Sequence, residues 1–276
     1  MTITASQVNE LRNKTGAGMM DCKNALVEAN GDTDAAIDIL RKKGQKVAAK
    51  RGDRDANEGQ IIALTSEDGK TGIMVAVNCE TDFVAKNEDF GNFVNTIAQV
   101  ALSNAPSNLD ELKGLNFNGD GLSIGDKITE QTGVIGEKIE LSNYELVNAE
   151  SVIAYNHPGN RVASMVGMNK DGMNEVGRDV AMQIAAMAPI ALNKDGISEE
   201  VIQKEIEVGK DLAIQEGKPA DLAEKIAMGR LNKFFKENTL LSQQFIKDNK
   251  LSVEQYLKQN DGDLEVTEFR RLALGD

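Results

Sequence analysis

The first fifty residues place their apolar side chains three or four positions apart, which is the spacing of helices. Thr4 and Gln7 form a capping box that opens the first helix, and a glycine-containing break ends it. A second helix is predicted from Met19 to Asn30, and a third follows Gly31. The positions that we expect to face inward are Val8, Leu11, Ala36, Ile37 and Leu40. The pattern predicts a small three-helix head over residues 1–52.

From residue 59 the apolar pattern changes to that of strands. Two apolar runs, residues 60–65 and 71–78, flank a turn at Asp68 and Gly69 and predict a β-hairpin. A helix is predicted after it, from Asp82 to Leu102. The fold changes here from helical to mixed.

The same order of elements returns 91 positions later. Residues 59–78 align without gaps to residues 150–169, and a second helix is predicted from Asn174 to Ala188. Matching hairpins followed by matching helices predict two related subdomains, 53–148 and 149–276. The alternative is that both merely reuse a common hairpin–helix unit. A strand predicted from Gly136 to Val147 could bridge the two sheets.

The second subdomain carries an inserted helical hairpin over residues 197–237. Ser198 caps its outgoing arm, Pro219 stands near the start of its return arm, and a narrow apolar stripe predicts an antiparallel coiled coil that projects. The facing positions we expect are Ile202, Ile206, Gly209 and Ala213 against Leu222, Ile226, Gly229 and Phe234. A capping box at Ser252 and Gln255 then opens a short helix, and residues 264–274 predict a last strand. The fold class is α+β.

The corner between the first hairpin and its helix carries Thr81, Asp82, Phe83 and Val84. Asp82 or Thr81 can cap the helix, which puts Phe83 in its first turn. Phe83 lies seven positions before Phe90, so spacing alone favours a ring at the top of a packing stripe. The second interpretation is that the ring points outward as an interaction residue.

Charge is distributed unevenly along the chain. The whole chain has a net charge of −13, whereas residues 1–55 carry ten Lys/Arg and eight Asp/Glu. Seven basic residues lie between Arg41 and Arg54, where we expect a solvated basic linker in preference to a nucleic-acid contact. With aromatics at 4% and no Trp, stacking platforms for bases are scarce, and no direct nucleic-acid partner is expected.

Composition indicates a cytoplasmic protein. The chain is 41% hydrophobic and 27% charged, without an apolar run of membrane-spanning length or a secretory leader pattern, so no membrane partner is expected. Two cysteines do not make a disulfide framework, and we expect Cys22 and Cys79 to be buried free thiols.

The sequence offers little that would support enzyme chemistry. The single histidine, His157, lies in a predicted hairpin turn far in sequence from Cys22 and Cys79, and no third residue would orient it. There is no phosphate-binding loop and no metal-ligand cluster, so neither a cofactor nor a metal is expected. A thiol hydrolase would need His157 close to one of the cysteines.

Two segments carry a family resemblance. LRNKTGAGMMDCKNAL at positions 11–26, followed by EANGD at 28–32, and TDFVAK at 81–86 resemble bacterial elongation factor Ts, the nucleotide-exchange factor of elongation factor Tu. IGE at 135–137, the turn histidine and the helical hairpin occur in the family's order along essentially the whole chain. Glu80, where the family often has glutamine, and residues 143–145, where it usually has a basic pair, depart from the pattern.

The resemblance implies a function and a set of partner-binding residues. It implies a ubiquitin-associated-like (UBA-like) head that docks on the GTPase domain of elongation factor Tu, a duplicated core that touches two domains of that partner, and a movable helical arm. The counterpart of Phe83 enters a pocket of the GTPase and disturbs its magnesium site, so that GDP leaves. The implied exchange segment is Thr81, Asp82, Phe83 and Val84, and the implied binding residues are Met19, Met20, Lys23, Ile135, Gly136 and His157.

Two matters stay open at the level of sequence. Some family members pair through their core, so a homodimer within a 2:2 complex is not decided. The rival function is a non-catalytic adaptor that binds a protein partner without promoting nucleotide exchange. The resemblance itself implies that no bond is made or broken.

Overall fold

The computed structural model describes residues 3–119 and 121–275. Its helices are α1 (Ala5–Thr15), α2 (Met19–Glu28), α3 (Thr33–Arg51), α4 (Asp82–Ala85), α5 (Glu88–Asn104), α6 (Leu109–Gly114), α7 (Ile124–Ile135), α8 (Asn174–Met187), α9 (Glu199–Gln215), α10 (Ala220–Asn238) and α11 (Val253–Asn260). Its strands are β1 (Glu58–Thr65), β2 (Thr71–Cys79), β3 (Glu140–Asn148), β4 (Ser151–Asn156), β5 (Val162–Met168), β6 (Gln244–Phe245), β7 (Asp248–Ser252) and β8 (Val266–Ala273). None of the described helices combines the length and the apolar character that crossing a bilayer requires.

The first three helices share one apolar core, as predicted. The capping box of Thr4 and Gln7 opens α1, and the side chain of Asp32 caps α3. Val8, Leu11 and Ala36 are buried in this core.

The prediction of a basic linker is wrong. Helix α3 continues through Arg51 and packs on α7, where Gly44 and Gly133 bring the two backbones into close contact. The absence of side chains at both positions allows this approach, because a Cβ on Gly133 would lie 2.3 Å from the Cα of Gly44. The basic residues therefore extend along a helix that is fixed to the body.

The two predicted hairpins repeat in register. Antiparallel pairs of β1 and β2 such as Ile61 with Ala76 recur 91 residues later in β4 and β5 as Val152 with Gly167. Each hairpin gains a third strand, β3 beside β2 and β8 beside β5. The pairing with that strand shifts after Ala76 in the first sheet and after Gly167 in the second, again 91 residues apart.

The two sheets exchange equivalent hydrogen bonds. The Ile61 amide donates to the Asn160 carbonyl at 2.7 Å, and the Val152 amide donates to the Gly69 carbonyl at 2.6 Å. The donors Ile61 and Val152 occupy equivalent positions, 91 residues apart, and so do the acceptors Gly69 and Asn160. Each unit therefore donates the same hydrogen bond to the other. The two units are therefore related by an approximate twofold exchange.

The core has four layers, helix, sheet, sheet, helix. One face of the first sheet packs on α5 through Ile62, Ile73 and Val75. Its other face meets the second sheet, and Gly72 lies so close that a Cβ there would be 2.5 Å from a methyl of Val152. The outer face of the second sheet packs on α8.

Strand β3 differs from the prediction in its start and in its pairing. Gly136 does not begin the strand but ends α7 with φ +80°, and β3 starts at Glu140. Among the described strands, the backbone of β3 pairs with β2 and with no strand of the second sheet. Strand β3 leads into that sheet through residues 149 and 150, and its Glu145 accepts a hydrogen bond from Arg270 of β8 at 3.0 Å.

The inserted hairpin is formed by α9 and α10, which pack against each other. Ser198 caps α9, as predicted, and Gly209 and Ala213 are buried in the seam. On the return arm the predicted inward positions Leu222 and Gly229 are wrong, because Leu222 is exposed and the space beside Gly229 is open. The buried residues of that arm are Ala223, Ala227 and Leu231.

The last part of the chain follows the prediction in its main elements and adds one that was missed. The capping box of Ser252 and Gln255 opens α11, and β8 is the last strand. The short hairpin of β6 and β7 was not predicted.

Candidate partner-binding site

The helix predicted from Asp82 to Leu102 is divided into α4 and α5. In a continuous helix the Ala85 carbonyl would accept a bond from the Asp89 amide. Here the side chain of Gln60 donates to the Ala85 carbonyl at 2.6 Å, and the Asp89 amide donates to the side chain of Asn87 at 2.8 Å. Because side chains satisfy both groups, the helix breaks and the single turn α4 becomes a separate corner of the structure.

Phe83 lies on the outside of this corner. Ala85 is buried and Val84 packs against the first core cluster, whereas Phe83 has 84% of its surface exposed. The interpretation of Phe83 as the top of a core-packing stripe is wrong, since Phe90 is buried and Phe83 is not. An aromatic ring exposed on a short, anchored turn has the character of an interaction residue.

The cap of α4 is Thr81. Its hydroxyl oxygen accepts a bond from the Val84 amide at 3.4 Å. Asp82 instead forms an ion pair with Lys86 one turn later, at 2.6 Å, and the hydrogen bond from Lys86 keeps the pKa of Asp82 below its usual value. Asp82 is therefore in its charged form beside Phe83 at neutral pH.

Hydrogen bonds to two carboxylates fix the position of the corner. Glu137 accepts from both the hydroxyl and the amide of Thr81, at 2.7 and 3.1 Å. Glu80 accepts from the Lys138 amide at 2.6 Å, and both of its oxygens accept from one terminal nitrogen of Arg51. The backbone donor of Lys138 and then the Arg51 side chain lower the pKa of Glu80, against the effect of desolvation.

Ile135 and Gly136 lie directly before Glu137 and are thereby adjacent to the corner. Ile135 is half-buried against the first core cluster. Gly136 caps α7 in the left-handed region, with open space where a side chain would lie. Its φ of +80° explains the glycine without reference to a partner.

His157 lies in the turn between β4 and β5. It is exposed, and its Nδ1 lies 3.0 Å from the Tyr155 hydroxyl. Gly159 and Arg161 of that turn line a shallow depression of about 530 Å³ together with Glu80 and Phe83. The turn thus contributes to the rim of the corner.

The predicted residues of the head lie on the outside of α2. Met19 and Met20 are 54% and 63% exposed, and Lys23 is exposed as well. Both methionines therefore lie outside the core of the head. Val134 of α7 packs against the core of the head, so the head adjoins α7 close to Ile135.

The cysteines do not form a reactive site. Cys22 and Cys79 are buried in two different core clusters. Burial, and then the nearby Glu137 carboxylate, raise the pKa of Cys79 to about 12, which keeps its thiol protonated at neutral pH. An exposed turn histidine and a buried, protonated thiol do not fit thiol hydrolysis.

Sequence reasoning missed a second exposed apolar group. Met187 and Ile190, at the end of α8, and Ile246, in the turn between β6 and β7, are 45–57% exposed. The Ile246 amide is bonded to Gln183 of α8 at 2.8 Å, which places the turn beside that helix end. The signal available in the sequence was Ile246, an apolar residue in a polar turn.

Comparison with known proteins gives a consistent result. The family model described as Elongation factor TS matches residues 80–276. Proteins named Elongation factor Ts from Christiangramia forsetii and Flavobacterium psychrophilum are 54% and 50% identical to this chain, each over 99% of both chains. One from Amoebophilus asiaticus is 49% identical over the full length of both. The chain belongs to the elongation factor Ts family.

Proposed function

We propose that this protein is a guanine-nucleotide exchange factor that binds elongation factor Tu in its GDP form and promotes GDP release during translation elongation, with Phe83 as the residue that drives release. Family membership supports the exchange function. The single structural observation that supports the role of Phe83 is its 84% exposed ring on a turn anchored at both ends.

The physical basis is thermodynamic linkage. A factor that binds the nucleotide-free GTPase more tightly than the GDP-bound form must weaken GDP binding by the same coupling free energy. Each ~1.4 kcal/mol of coupling changes the affinity about tenfold. The protein makes and breaks no bond in this process.

In this proposal Thr81, Asp82, Phe83 and Val84 form the exchange segment. Phe83 enters a pocket of the GTPase domain, and the resulting displacement disturbs the magnesium site of the partner. Contacts that are stronger in the nucleotide-free state shift the equilibrium, whereas contacts made equally in both states set only the affinity.

The other surfaces supply affinity. We assign docking to a UBA-like head, residues 1–52, through Met19, Met20 and Lys23. Ile135 and Gly136, adjacent to the corner, and His157, in the turn between β4 and β5, add contacts from the two core subdomains, 53–148 and 149–276. The second apolar group, Met187, Ile190 and Ile246, fits a contact with another part of the partner.

The remaining assignments follow the same family pattern. The hairpin 197–237 is assigned as a projecting coiled-coil arm, and the protein as cytoplasmic, without a nucleic-acid or membrane partner. Pairing through the core into a 2:2 complex is compatible with this assignment.

Stopped-flow release of a fluorescent GDP analogue from elongation factor Tu tests the proposal. We expect saturating protein to accelerate release by orders of magnitude over spontaneous release. A protein that binds elongation factor Tu, shown by co-purification, but leaves release unchanged would be an adaptor and would overturn the proposed function.

A further inference from the structure

Three segments that are distant in sequence meet at the corner that carries Phe83. They are the end of α3 with Arg51, the corner with Glu80 and Thr81, and the loop between α7 and β3 with Glu137 and Lys138. We call these five residues, together with the hydrogen bonds that join them, the carboxylate clasp.

The clasp is reciprocal. Glu80 of the corner accepts the Lys138 amide of the loop at 2.6 Å, and Glu137 of the loop accepts the Thr81 amide of the corner at 3.1 Å. Each segment therefore supplies the carboxylate that satisfies a backbone donor of the other. Hydrogen bonds to a charged acceptor are stronger than neutral ones, and two in opposite senses fix both separation and orientation.

The clasp also extends to the head. Arg51 donates to both oxygens of Glu80, at 2.8 and 2.9 Å, and the ammonium of Lys138 donates to the carbonyls of Gly52 and Arg54 just beyond α3, at 3.1 and 3.2 Å. The side chain of Glu80 is only 14% exposed, so its ion pair is better shielded from solvent than a surface pair. The docking head and the exposed ring are thus connected through two residues, Glu80 and Lys138.

We propose that the carboxylate clasp is a positioning device, with Glu137 and Glu80 as positioning residues, that presents Phe83 at a fixed place relative to the head. This rests on the proposed exchange role of Phe83. A wedge that is held in place before binding loses little conformational entropy on binding, so more of the docking energy reaches the partner's pocket. A loosely held ring would spend part of that energy on ordering the corner.

The first test concerns the free protein and does not depend on exchange activity. Glu137→Gln keeps the size of the side chain but replaces one acceptor oxygen with a donor, so it cannot accept both bonds from Thr81. We expect hydrogen exchange of the Thr81 amide, followed by NMR, to become about tenfold faster, on the scale of a hydrogen bond to a charged group. The matched control is Glu150→Gln, which removes an exposed ion pair with Lys70 and should leave that amide unchanged. Unchanged Thr81 exchange in Glu137→Gln would overturn the clasp.

The second test is a double-mutant cycle in the GDP-release assay. Glu137→Gln should slow release at saturating protein about tenfold while changing the half-saturating concentration less than threefold. If Glu137 had only a structural role, the substitution would lower the fraction of active protein, and the release rate at saturation would not fall selectively. In a Phe83→Ala background the same change should add almost nothing, because a positioning residue acts through the residue that it positions. Additive losses would overturn the proposal.

The two proposals fail in distinguishable ways. If Phe83→Ala releases GDP like the wild type, the wedge is wrong, and the Thr81 exchange result alone decides whether the clasp holds the corner. Glu80→Gln, which removes the charge that faces Arg51, should loosen the corner less than Glu137→Gln, because Glu80 accepts an amide of the loop whereas Glu137 accepts both the amide and the hydroxyl of Thr81 in the corner itself. If Glu80→Gln accelerated exchange of the Thr81 amide as much as Glu137→Gln or more, Glu137 would not be the more important of the two carboxylates.

Discussion

The two hairpin–helix units share one plan but differ where strand passes into helix. In the second unit β5 runs through residues 169–173 directly into α8, and Asn169 is bonded to the backbone of Glu265 ahead of β8 in both directions. In the first unit the corresponding connection contains the extra turn α4, which is held by the loop ahead of β3 through Glu137. Both connections are tied to the segment before their third strand, but the first alone carries an exposed aromatic ring among the residues described.

This difference separates the part of the sequence that builds the fold from the part that is available for binding. Register, bulge position and exchanged hydrogen bonds repeat at an offset of 91 residues because both units must pack sheet on sheet and helix on sheet. Helices α5 and α8 also end in the same way. Their C-terminal caps, Ala105 and Ala188, have φ of 42° and 43°, and a proline follows each of them. The repeated framework leaves one connection free to display Phe83.

The largest effect should come from removing that ring. Phe83→Ala should slow GDP release from elongation factor Tu at least tenfold at saturating protein, because aromatic hot spots at interfaces carry on the order of 2–4 kcal/mol. Its melting temperature should stay near the wild-type value, since changes at exposed positions usually alter stability by less than about 0.5 kcal/mol. Stopped-flow fluorescence and a thermal melt give the two quantities.

The comparison itself supplies a control. Met173 lies in the connection of the second unit and packs against the second core cluster. Met173→Ala should lower stability by about 1 kcal/mol and leave release by the folded protein unchanged. A second control, Met228→Ala, removes an exposed apolar side chain on the hairpin and should leave release near wild type. Equal release defects in Phe83→Ala and Met173→Ala would show that the two connections do not differ in function.

Local signals in the sequence predicted much of this framework. Both capping boxes, both hairpins and the 91-residue repeat are present in the structure, because turns, caps and strand periodicity depend on neighbouring residues. The exchange segment and its neighbours came from the family resemblance, whereas spacing alone placed Phe83 in the core.

What could not be predicted depends on contacts between distant segments. The break after Ala85 needs the side chain of Gln60 from another strand, and the length of α3 depends on its packing against α7. The buried residues of α10 differ from the prediction because the apolar pattern of one helix does not reveal which of two adjacent rows of side chains faces the other helix. Glu137 has no local motif that would single it out as the residue that holds Thr81.

The head belongs to neither repeated unit, so altering it should affect binding without affecting the exchange step. Met20→Ala combined with Lys23→Ala should weaken binding to elongation factor Tu about tenfold, since both side chains are exposed on α2, while release at saturation stays unchanged. A titration of the release rate against protein concentration separates the two quantities. These point changes are preferable to removing residues 1–52, because that deletion would uncover the face of α7 that packs on α3. Undiminished affinity would contradict the docking assignment.

A smaller effect is expected at the turn of the second hairpin. His157→Ala should raise the half-saturating concentration a few-fold, because the imidazole is exposed in the turn between β4 and β5 and contacts the neighbouring Tyr155 within the protein. The equivalent position of the first hairpin is Ser66, whose hydroxyl bonds the local backbone of its own turn. Ser66→Ala should therefore alter stability and not binding. If His157→Ala titrates like the wild type, His157 does not contact the partner. Gly136 is a poorer choice for substitution, since any side chain at φ +80° strains the fold.

The smallest effect is expected at Cys79, which ends β2 where the equivalent position of the second unit holds Lys170. Lys170 reaches solvent and pairs with Asp261, whereas the Cys79 thiol is buried and its pKa is raised to about 12. Iodoacetamide at pH 8 should therefore leave Cys79 of the native protein unmodified and should label it only after denaturation, as measured by mass spectrometry. The same shift has a definite sign for stability. The unfolded thiol loses its proton above about pH 8.5 while the folded thiol keeps it, so burial of Cys79 makes stability fall as the pH rises through that range. Native labelling of Cys79 at the rate of the denatured chain would show an accessible thiolate, and it would reopen the thiol chemistry that the buried position excludes.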